Sequence, residues 1–289
     1  SSTRLTWRNT MKPLLRRTLR AVIQAVPFRG RHRLADRLGA WLAPSAPEPF
    51  VLNGVRIELD HRELLHRLIY YGLYEENVVR HLHLVLRPGD VVFDPGANIG
   101  YFAAVALGLV GSTGHVYSFE PSNTAFARLA ASAAEGPPNW TVAQAALTDH
   151  SGTMQFYDTP RVISRGFACL EGVYAPKDRM PHPVTVHALD DFCRNNGVTR
   201  IAFLKLDIEG SELNALRGAT ELLGRQAVQE ILVETTVDPE KRPVAQAIDT
   251  LLRNAGYCSH RVQPNGELVP IDVMAQADLR EDIIWTVAR

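Results

Sequence analysis

Four short stretches of the 289-residue sequence carry side chains that could bind a small ligand or move a proton. The first is a glycine turn, DPGANIG at residues 94–100. Glycines in such a turn let the backbone approach a ligand closely and direct free N–H groups towards it. The turn predicts a cofactor loop, with Asp94, Gly96, Asn98 and Gly100 as its binding residues.

The second stretch is Glu120-Pro121, which follows the apolar run 116–119. A carboxylate about 20 residues after a glycine turn is placed to accept hydrogen bonds from both hydroxyls of a ribose. The turn differs from the G-x-G-x-x-G fingerprint, because Asn98 stands where the second glycine would approach a pyrophosphate. The combination therefore favours a nucleoside-containing cofactor and disfavours a nicotinamide or flavin dinucleotide.

The remaining two stretches follow later apolar runs. Ala146 is placed to wall an adenine ring and Asp149 to bind its exocyclic amine, although Asp149 suits the start of a turn equally well. In KLDIEGSE at residues 205–212, Asp207 falls at the end of a strand, and alternation puts Glu209 on the same face. Asp207 is thus a candidate both for cofactor binding and for catalysis.

The elements that would position these residues are strands alternating with helices. Apolar, strand-like runs occupy residues 91–93, 116–119, 141–146, 201–206, 227–233 and 283–287. Most are separated by helix-like segments, a pattern that predicts an α/β fold with a doubly wound, mostly parallel sheet. In such a sheet ligands bind at the carboxyl ends of the strands, near the switch point of the strand order.

Composition narrows the class of protein. With 46% hydrophobic and 21% charged residues, the chain has the composition of a globular protein rather than a disordered or collagen-like one. Its three separated cysteines indicate neither a disulfide framework nor a zinc knuckle, and they favour a reducing compartment. No apolar run approaches the ~18 to 20 residues that span a bilayer. We therefore expect a cytoplasmic protein that is neither secreted nor transmembrane.

The first forty residues differ from the rest in charge. They contain ten basic residues and one acidic residue, whereas the remainder has 21 basic and 30 acidic residues. Apolar residues at helical spacing predict an amphipathic basic helix that ends at Pro27, and a second short helix over residues 31–42. The three prolines of residues 44–49 indicate a linker. Residues 1–49 are thus predicted to form a basic helical extension.

Two roles for this extension follow from the charge split. In one it is a cap, with its apolar side chains buried and its arginines in solvent; these side chains are Leu14, Leu15, Leu19 and Val22. In the other, the basic helix binds an anionic membrane surface or an anionic substrate. The second role would place the protein peripherally at the inner membrane face.

Several stretches, in their order and spacing, resemble the FkbM family of S-adenosylmethionine-dependent O-methyltransferases. They are FDPGANIGYF at residues 93–102, FEP at 119–121, ALTD at 146–149, ALDDF at 188–192, LKLDIEGSE at 204–212 and LVE at 232–234. The resemblance implies a class I methyltransferase (Rossmann-like) sheet within residues 50–289. It also implies that the glycine loop surrounds the methionine part of the cofactor, S-adenosylmethionine, and that Glu120 binds the ribose.

The resemblance further implies methyl transfer to a hydroxyl group of a small molecule, a sugar, a glycolipid or a natural product. A sugar hydroxyl is a poor nucleophile at neutral pH, so a general base or a metal is needed. Asp207 is the first candidate base and Glu209 the next; the alternatives are His150, His182 and His187. A divalent cation held by Asp207, Glu209 or Glu234 is conceivable, but we do not predict one.

Two other classes of protein compete with a methyltransferase. One is a dinucleotide-dependent oxidoreductase, which Asn98 disfavours. The other is a non-catalytic module with a cofactor-type fold that binds membrane or nucleic acid through its basic end; we expect no nucleic-acid partner. The basic extension and residues 159–182 lie outside the matching stretches, so we expect these two segments to select the acceptor.

Overall fold

The chain divides into two compact units. A computed structural model describes residues 11–26, 28–158, 169–170, 180–208 and 210–288. One unit, called here the N-terminal unit, comprises Ser1–Val51 and Arg56–Glu76, and the C-terminal unit comprises Leu52–Val55 and Asn77–Arg289. The predicted extension of residues 1–49 thus groups with a later helical segment, while the predicted boundary at residue 50 stays a prediction.

The first part of the chain holds the predicted basic helices. Its elements are α1 (Lys12–Ala25), α2 (Arg31–Trp41), the hairpin strands β1 (Glu48–Leu52) and β2 (Val55–Leu59), and α3 (Leu64–Tyr71). Both predicted helices are present; α1 ends at Ala25, two residues before Pro27, and α2 ends at Trp41, one residue before the predicted end. The predicted linker over residues 44–49 is wrong at its end, because β1 already begins at Glu48.

Helix α1 packs on α2 and α3 with a face that contains arginine. Leu19 and Ile23 are buried, and so is Arg16, whereas Leu14 and Val22 are 58% and 47% exposed. Leu15 is exposed as well. The cap hypothesis is therefore wrong in expecting these three apolar side chains to be buried.

The C-terminal unit holds the larger sheet and most helices. The strands are β3 (Val91–Pro95), β4 (His115–Phe119), β5 (Trp140–Ala143), β6 (Ala145–Leu147), β7 (Gly152–Asp158), β8 (Cys169–Leu170), β9 (Met180–His187), β10 (Ile201–Leu206), β11 (Val228–Val237), β12 (Tyr257–Val262), β13 (Leu268–Pro270) and β14 (Leu279–Val287). The helices are α4 (Glu76–Val85), α5 (Tyr101–Val110), α6 (Asn123–Ala134), α7 (Leu189–Asn195), α8 (Glu212–Arg217), α9 (Thr220–Gly224) and α10 (Arg242–Asn254).

Eight strands form one sheet in the order β13-β12-β14-β11-β10-β3-β4-β5. The five from β11 to β5 are parallel neighbours, and β14, β12 and β13 extend the sheet antiparallel. From β3 the chain proceeds to β4 and β5 on one side and later returns to β10 on the other. The switch point therefore lies between β3 and β10, and the predicted doubly wound fold is confirmed.

A second, four-stranded sheet has the order β6-β9-β7-β8. The predicted single strand over residues 141–146 is wrong, because it divides at Gln144 into β5 of the large sheet and β6 of the small one. The change of sheet could not be predicted, because the residues on both sides of Gln144 are apolar and read as one strand.

Buried aliphatic and aromatic side chains fix the carboxyl edge of the large sheet. Phe93, Leu206 and Ile231 on the central strands are at most 1% exposed, as expected for strands covered on both faces. Burial of each such side chain stabilises the fold by roughly 1.5 to 3 kcal/mol. The loops that follow these strands thus start from rigid positions.

Candidate functional site

The glycine loop after β3 adopts left-handed backbone conformations. The φ angles are 74° at Gly96, 52° at Asn98 and 85° at Gly100. The N–H of Gly96 donates to the carbonyl of Phe119 at 2.8 Å, which ties the loop to the end of β4. A Cβ atom at Gly96 would lie 2.5 Å from the carbonyl oxygen of Asp207. Glycine is required there by both conformation and space, and the loop lies against the residue that follows β10.

Glu120 joins the end of β4 to this loop. The side chain is buried, its Oε2 accepts a hydrogen bond from the Asn98 N–H at 2.8 Å, and its Oε1 accepts one from the Ser122 N–H at 2.9 Å. Because each carboxylate oxygen can accept more than one hydrogen bond, these contacts are compatible with two ligand hydroxyls. Glu120 thus shapes the loop as well as being a candidate ligand.

An ion pair lies at the end of β10. The buried Lys205 Nζ donates to Asp207 Oδ2 at 2.9 Å and lies 5.6 Å from the centroid of the Phe102 ring. The ammonium charge of Lys205 lowers the pKa of Asp207. Asp207 is therefore held as a carboxylate at the switch point.

Glu234 is the neighbour of Asp207 on the adjacent strand. The β10–β11 pairing ends with Leu206 opposite Val233, so Asp207 and Glu234 are the next residues of the two strands, and their carboxyl groups interact. The surrounding protein, together with the negative charges of Asp207 and Glu212, raises the pKa of Glu234 to about 7, although its side chain reaches solvent. The carboxyl pair can therefore take up a proton from solvent, or release one to it, near neutral pH.

Glu212 organises the loop between β10 and α8. Its Oε1 accepts hydrogen bonds from the N–H groups of Ile208 and Gly210, each at 3.1 Å. The side chain is buried, and burial raises its pKa. Glu209, the second predicted catalytic residue, lies outside the described residues.

The other predicted ligands have different surroundings. Asp94 is buried at the end of β3, and the Pro121 carbonyl faces His182 Nε2 at 3.2 Å. Ala146 belongs to the apolar cluster of the small sheet, and Asp149 is exposed and paired with His150 at 2.7 Å. Their assignment to the cofactor stays a prediction.

Neither the ion pair of Lys205 nor the raised pKa of Glu234 was predicted from the sequence. A signal for Glu234 was present in the sequence, because the carboxylate in LVE comes after an apolar run just as the carboxylate in KLD comes after the preceding parallel strand.

Among the residues that the structure describes, no three His, Cys, Asp or Glu side chains form a group that could hold a metal ion.

Comparison with known proteins identifies the family. The model of the methyltransferase FkbM domain matches residues 94–258, more than half of the chain. This chain belongs to the FkbM methyltransferase family. The predicted family and cofactor are thus confirmed, and the protein is an S-adenosylmethionine-dependent methyltransferase. Of the three classes considered from the sequence, the family match supports the methyltransferase.

Two curated relatives share the FkbM region. The 31-O-demethyl-FK506 methyltransferase FkbM of Streptomyces tacrolimicus is 32% identical over 182 residues, which are 54% of this chain and 69% of that protein. The hexuronic acid methyltransferase AglP of Haloferax volcanii is 27% identical over 168 residues, which are 57% of this chain and 65% of that protein. The chain thus spans about two thirds of the length of each relative.

Among solved structures, the methyltransferase FkbM of Methylobacillus flagellatus has 17% sequence identity and a TM-score of 0.42, with 77% of this chain and 54% of that chain covered.

The residues around the glycine loop fit S-adenosylmethionine, because the turn at Gly96 leads into α5 at the switch point, beside the Glu120 carboxylate. No helix in the described part of the chain is long and apolar enough to cross a membrane.

Proposed function

We propose that this protein is an O-methyltransferase that acts on a hydroxyl group of a sugar, a glycolipid or a natural product. The observation that supports the proposal is the position of Asp207, whose backbone carbonyl lies against Gly96 of the glycine loop and whose carboxylate accepts a hydrogen bond from Lys205 at 2.9 Å. S-adenosylmethionine, when bound, supplies an electrophilic methyl group. The substrate named for one curated relative, 31-O-demethyl-FK506, supports a hydroxyl acceptor, and the hexuronic acid named for the other supports a sugar as the acceptor molecule.

The chain's own residues would then bind the cofactor, orient the acceptor and accept its proton. The cofactor residues are Asp94, Gly96, Asn98, Gly100, Glu120, Pro121, Ala146, Asp149 and Asp207, and the catalytic residues are Asp207 and Glu209. Alignment of the acceptor with the methyl group is the main source of rate in such a transfer. Asp207 polarises the acceptor hydroxyl, and the neighbouring Glu234 can relay the proton to solvent because its pKa is about 7.

The reaction is tested by incubating the protein with S-adenosylmethionine carrying an isotopically labelled methyl group and with three classes of acceptor: hexuronic acids, glycolipids and an O-demethylated macrolide. Mass spectrometry detects transfer, and NMR of the product locates the methyl group. Label on a hydroxyl oxygen is expected. Label on a carboxylate oxygen, on nitrogen or on carbon would contradict the proposal.

The exposed side of α1 supports a second part of the proposal, binding to an anionic membrane surface. Leu14, Leu15 and Val22 of α1, together with Met11 and Val26 directly before and after it, are each at least 39% exposed. On the same helix, Arg17 is exposed. An apolar stripe flanked by cations is typical of a helix that lies in the interface of an anionic bilayer. Co-sedimentation with anionic and neutral vesicles tests this part separately from the chemistry.

A further inference from the structure

A cationic cavity lies within the N-terminal unit, beside α1 and the β1 strand. Its volume is about 470 Å³, and its charged lining consists of Arg16, Arg17, Arg20 and Glu48. Phe50 and Tyr70 provide aromatic walls. Three guanidinium groups face one carboxylate, so the lining has an excess of two positive charges, because arginine stays protonated in proteins.

The three arginines differ in how their charges are balanced. Arg16 is largely buried and forms an ion pair with Glu48. Arg17 is exposed, and among the described residues none accepts a hydrogen bond from it or forms an ion pair with it. Arg20 likewise has no hydrogen-bond acceptor and no ion-pair partner in the described part of the chain, and its buried Nε has no hydrogen-bond partner there. Glu48 thus neutralises one arginine, and two remain available to an anion.

Aromatic rings hold the Arg20 guanidinium in place. Its Cζ lies 4.9 Å from the centroid of Phe50 and 5.0 Å from that of Tyr70, and the two ring centroids are 6.1 Å apart. Stacking on aromatic faces fixes the orientation of a guanidinium and leaves its edge N–H groups free to donate. Arg20 therefore has its donors positioned before a ligand binds, which reduces the entropy lost on binding.

We propose that this cavity binds a phosphate monoester. A dianionic phosphoryl group matches the excess of two positive charges, and its oxygens fit the paired donors of arginine, whereas a single carboxylate would balance only one of the charges. The volume is in the range of roughly 300 to 1,000 Å³ of small-molecule sites, so there is room for the organic group that carries the phosphate. The aromatic walls and Ala21 would contact that group.

The phosphate could belong to a soluble molecule or to a lipid headgroup, and the test separates the two. Titration calorimetry at constant ionic strength uses sn-glycerol 3-phosphate as the soluble probe. The lipid probe consists of phosphatidylcholine vesicles that contain either phosphatidic acid, a phosphate monoester, or an equal charge of phosphatidylglycerol, a phosphate diester. Saturable binding of glycerol 3-phosphate indicates a soluble source, and binding that is tighter to vesicles with phosphatidic acid indicates a lipid. Either result supports the site, whereas binding to neither probe, or equal binding to both kinds of vesicle without binding of glycerol 3-phosphate, overturns it.

Variants show whether binding occurs in the cavity. Arg20→Gln and Arg17→Gln are each expected to weaken the binding of the phosphate probe about tenfold or more, because each removes charge-assisted hydrogen bonds. The matched control is Arg37→Gln, which removes the same charge from an exposed position on α2 outside the cavity and is expected to change the affinity less than about twofold. Equal weakening by all three variants would indicate a diffuse electrostatic effect and would overturn the proposal. Because the Arg17 side chain is exposed, its variant tests the site even if Arg20→Gln lowers the melting temperature.

Discussion

Lys205 on β10 and Asp207, which directly follows this strand, form an ion pair in which the buried Lys205 ammonium donates to the Asp207 carboxylate at 2.9 Å. The ion pair holds Asp207 ionised beside Gly96. We expect Asp207→Asn to lower kcat for methyl transfer by about a hundredfold, the scale of losing a general base. The binding of S-adenosylhomocysteine, measured by calorimetry, should change only a few fold. Near-full turnover by the variant would restrict Asp207 to a structural role.

Replacing the cation tests the electrostatic part of this relationship. In Lys205→Met the Asp207 carboxylate loses the charge that lowers its pKa, while Glu234 still interacts with it. The pKa values of the carboxyl pair should rise, so the acid limb of the kcat/KM profile should move to higher pH. A profile with the wild-type limb and only a lower plateau would show that Lys205 affects the amount of folded enzyme rather than the base.

Glu234 provides a pH dependence of known sign. Its pKa is about 7 in the folded protein, above the ordinary value of 4.5, so the folded state binds the proton more tightly than the unfolded state. The free energy of unfolding should therefore fall as pH rises from about 4.5 to about 7, the two pKa values that bound this window. Glu234→Gln should flatten that part of the curve, measured by urea denaturation at a series of pH values. A curve unchanged by the substitution would mean that the pKa of Glu234 is ordinary.

More of the candidate site than of the N-terminal unit could be predicted from the sequence. The residues after β3, β4 and β10 are adjacent to strands that have distinct apolar runs, and parallel order brings their ends together. The nearness of Glu234 to Asp207 could not be predicted from the sequence pattern, because it depends on the register of β11 against β10.

The orientation of α1 could not be predicted, because helical spacing identifies an apolar stripe without showing which side is covered. Arg16 turns inwards because Glu48 balances its charge and the Tyr70 ring packs on its guanidinium, and both partners are distant in sequence. In the same way, nothing local to Gln144 indicates that β5 and β6 join different sheets. Long-range partners decide both features.

Glu120 is expected to support both the cofactor loop and the cofactor. In Glu120→Gln one side-chain oxygen becomes an NH₂ donor that faces the N–H of Asn98 or Ser122. We expect the affinity for S-adenosylhomocysteine to fall at least about tenfold, since charge-assisted hydrogen bonds are worth about 1.5 to 3 kcal/mol each. Calorimetry measures the affinity, and a thermal melt measures the loss of loop contacts. A lower melting temperature with unchanged affinity would assign Glu120 to the fold alone.

Two glycines of neighbouring segments provide a matched pair for stability. A Cβ atom at Gly218 would lie 2.0 Å from the carbonyl oxygen of Thr148, whereas one at Gly224 meets nothing within 4 Å. Gly218→Ala should lower the free energy of unfolding by about 2 to 3 kcal/mol because backbone must move. Gly224→Ala should change it by less than about 1 kcal/mol, and alanine favours the helical conformation. Equal effects of the two substitutions in chemical denaturation would show that the Gly218 segment shifts without cost.

The proposed membrane contact of α1 can be tested by the same substitution at two positions of nearly equal exposure. Val22 on α1 is 47% exposed, and Val269 on β13 is 46% exposed. If the exposed stripe enters the interface of an anionic bilayer, Val22→Ser should lower the partition coefficient for anionic vesicles about threefold or more, because part of a buried valine side chain is worth about 1 kcal/mol. Val269→Ser should leave it unchanged. Added salt should weaken binding of the wild type, since each basic residue near the surface contributes about 1 kcal/mol that ions screen.

Both variants keep the buried Leu19 and Ile23, so the fold of the N-terminal unit is retained and their melting curves should coincide with that of the wild type. Equal vesicle binding by Val22→Ser and the wild type, or equal binding of the wild type to neutral and anionic vesicles, would contradict a membrane role for this face.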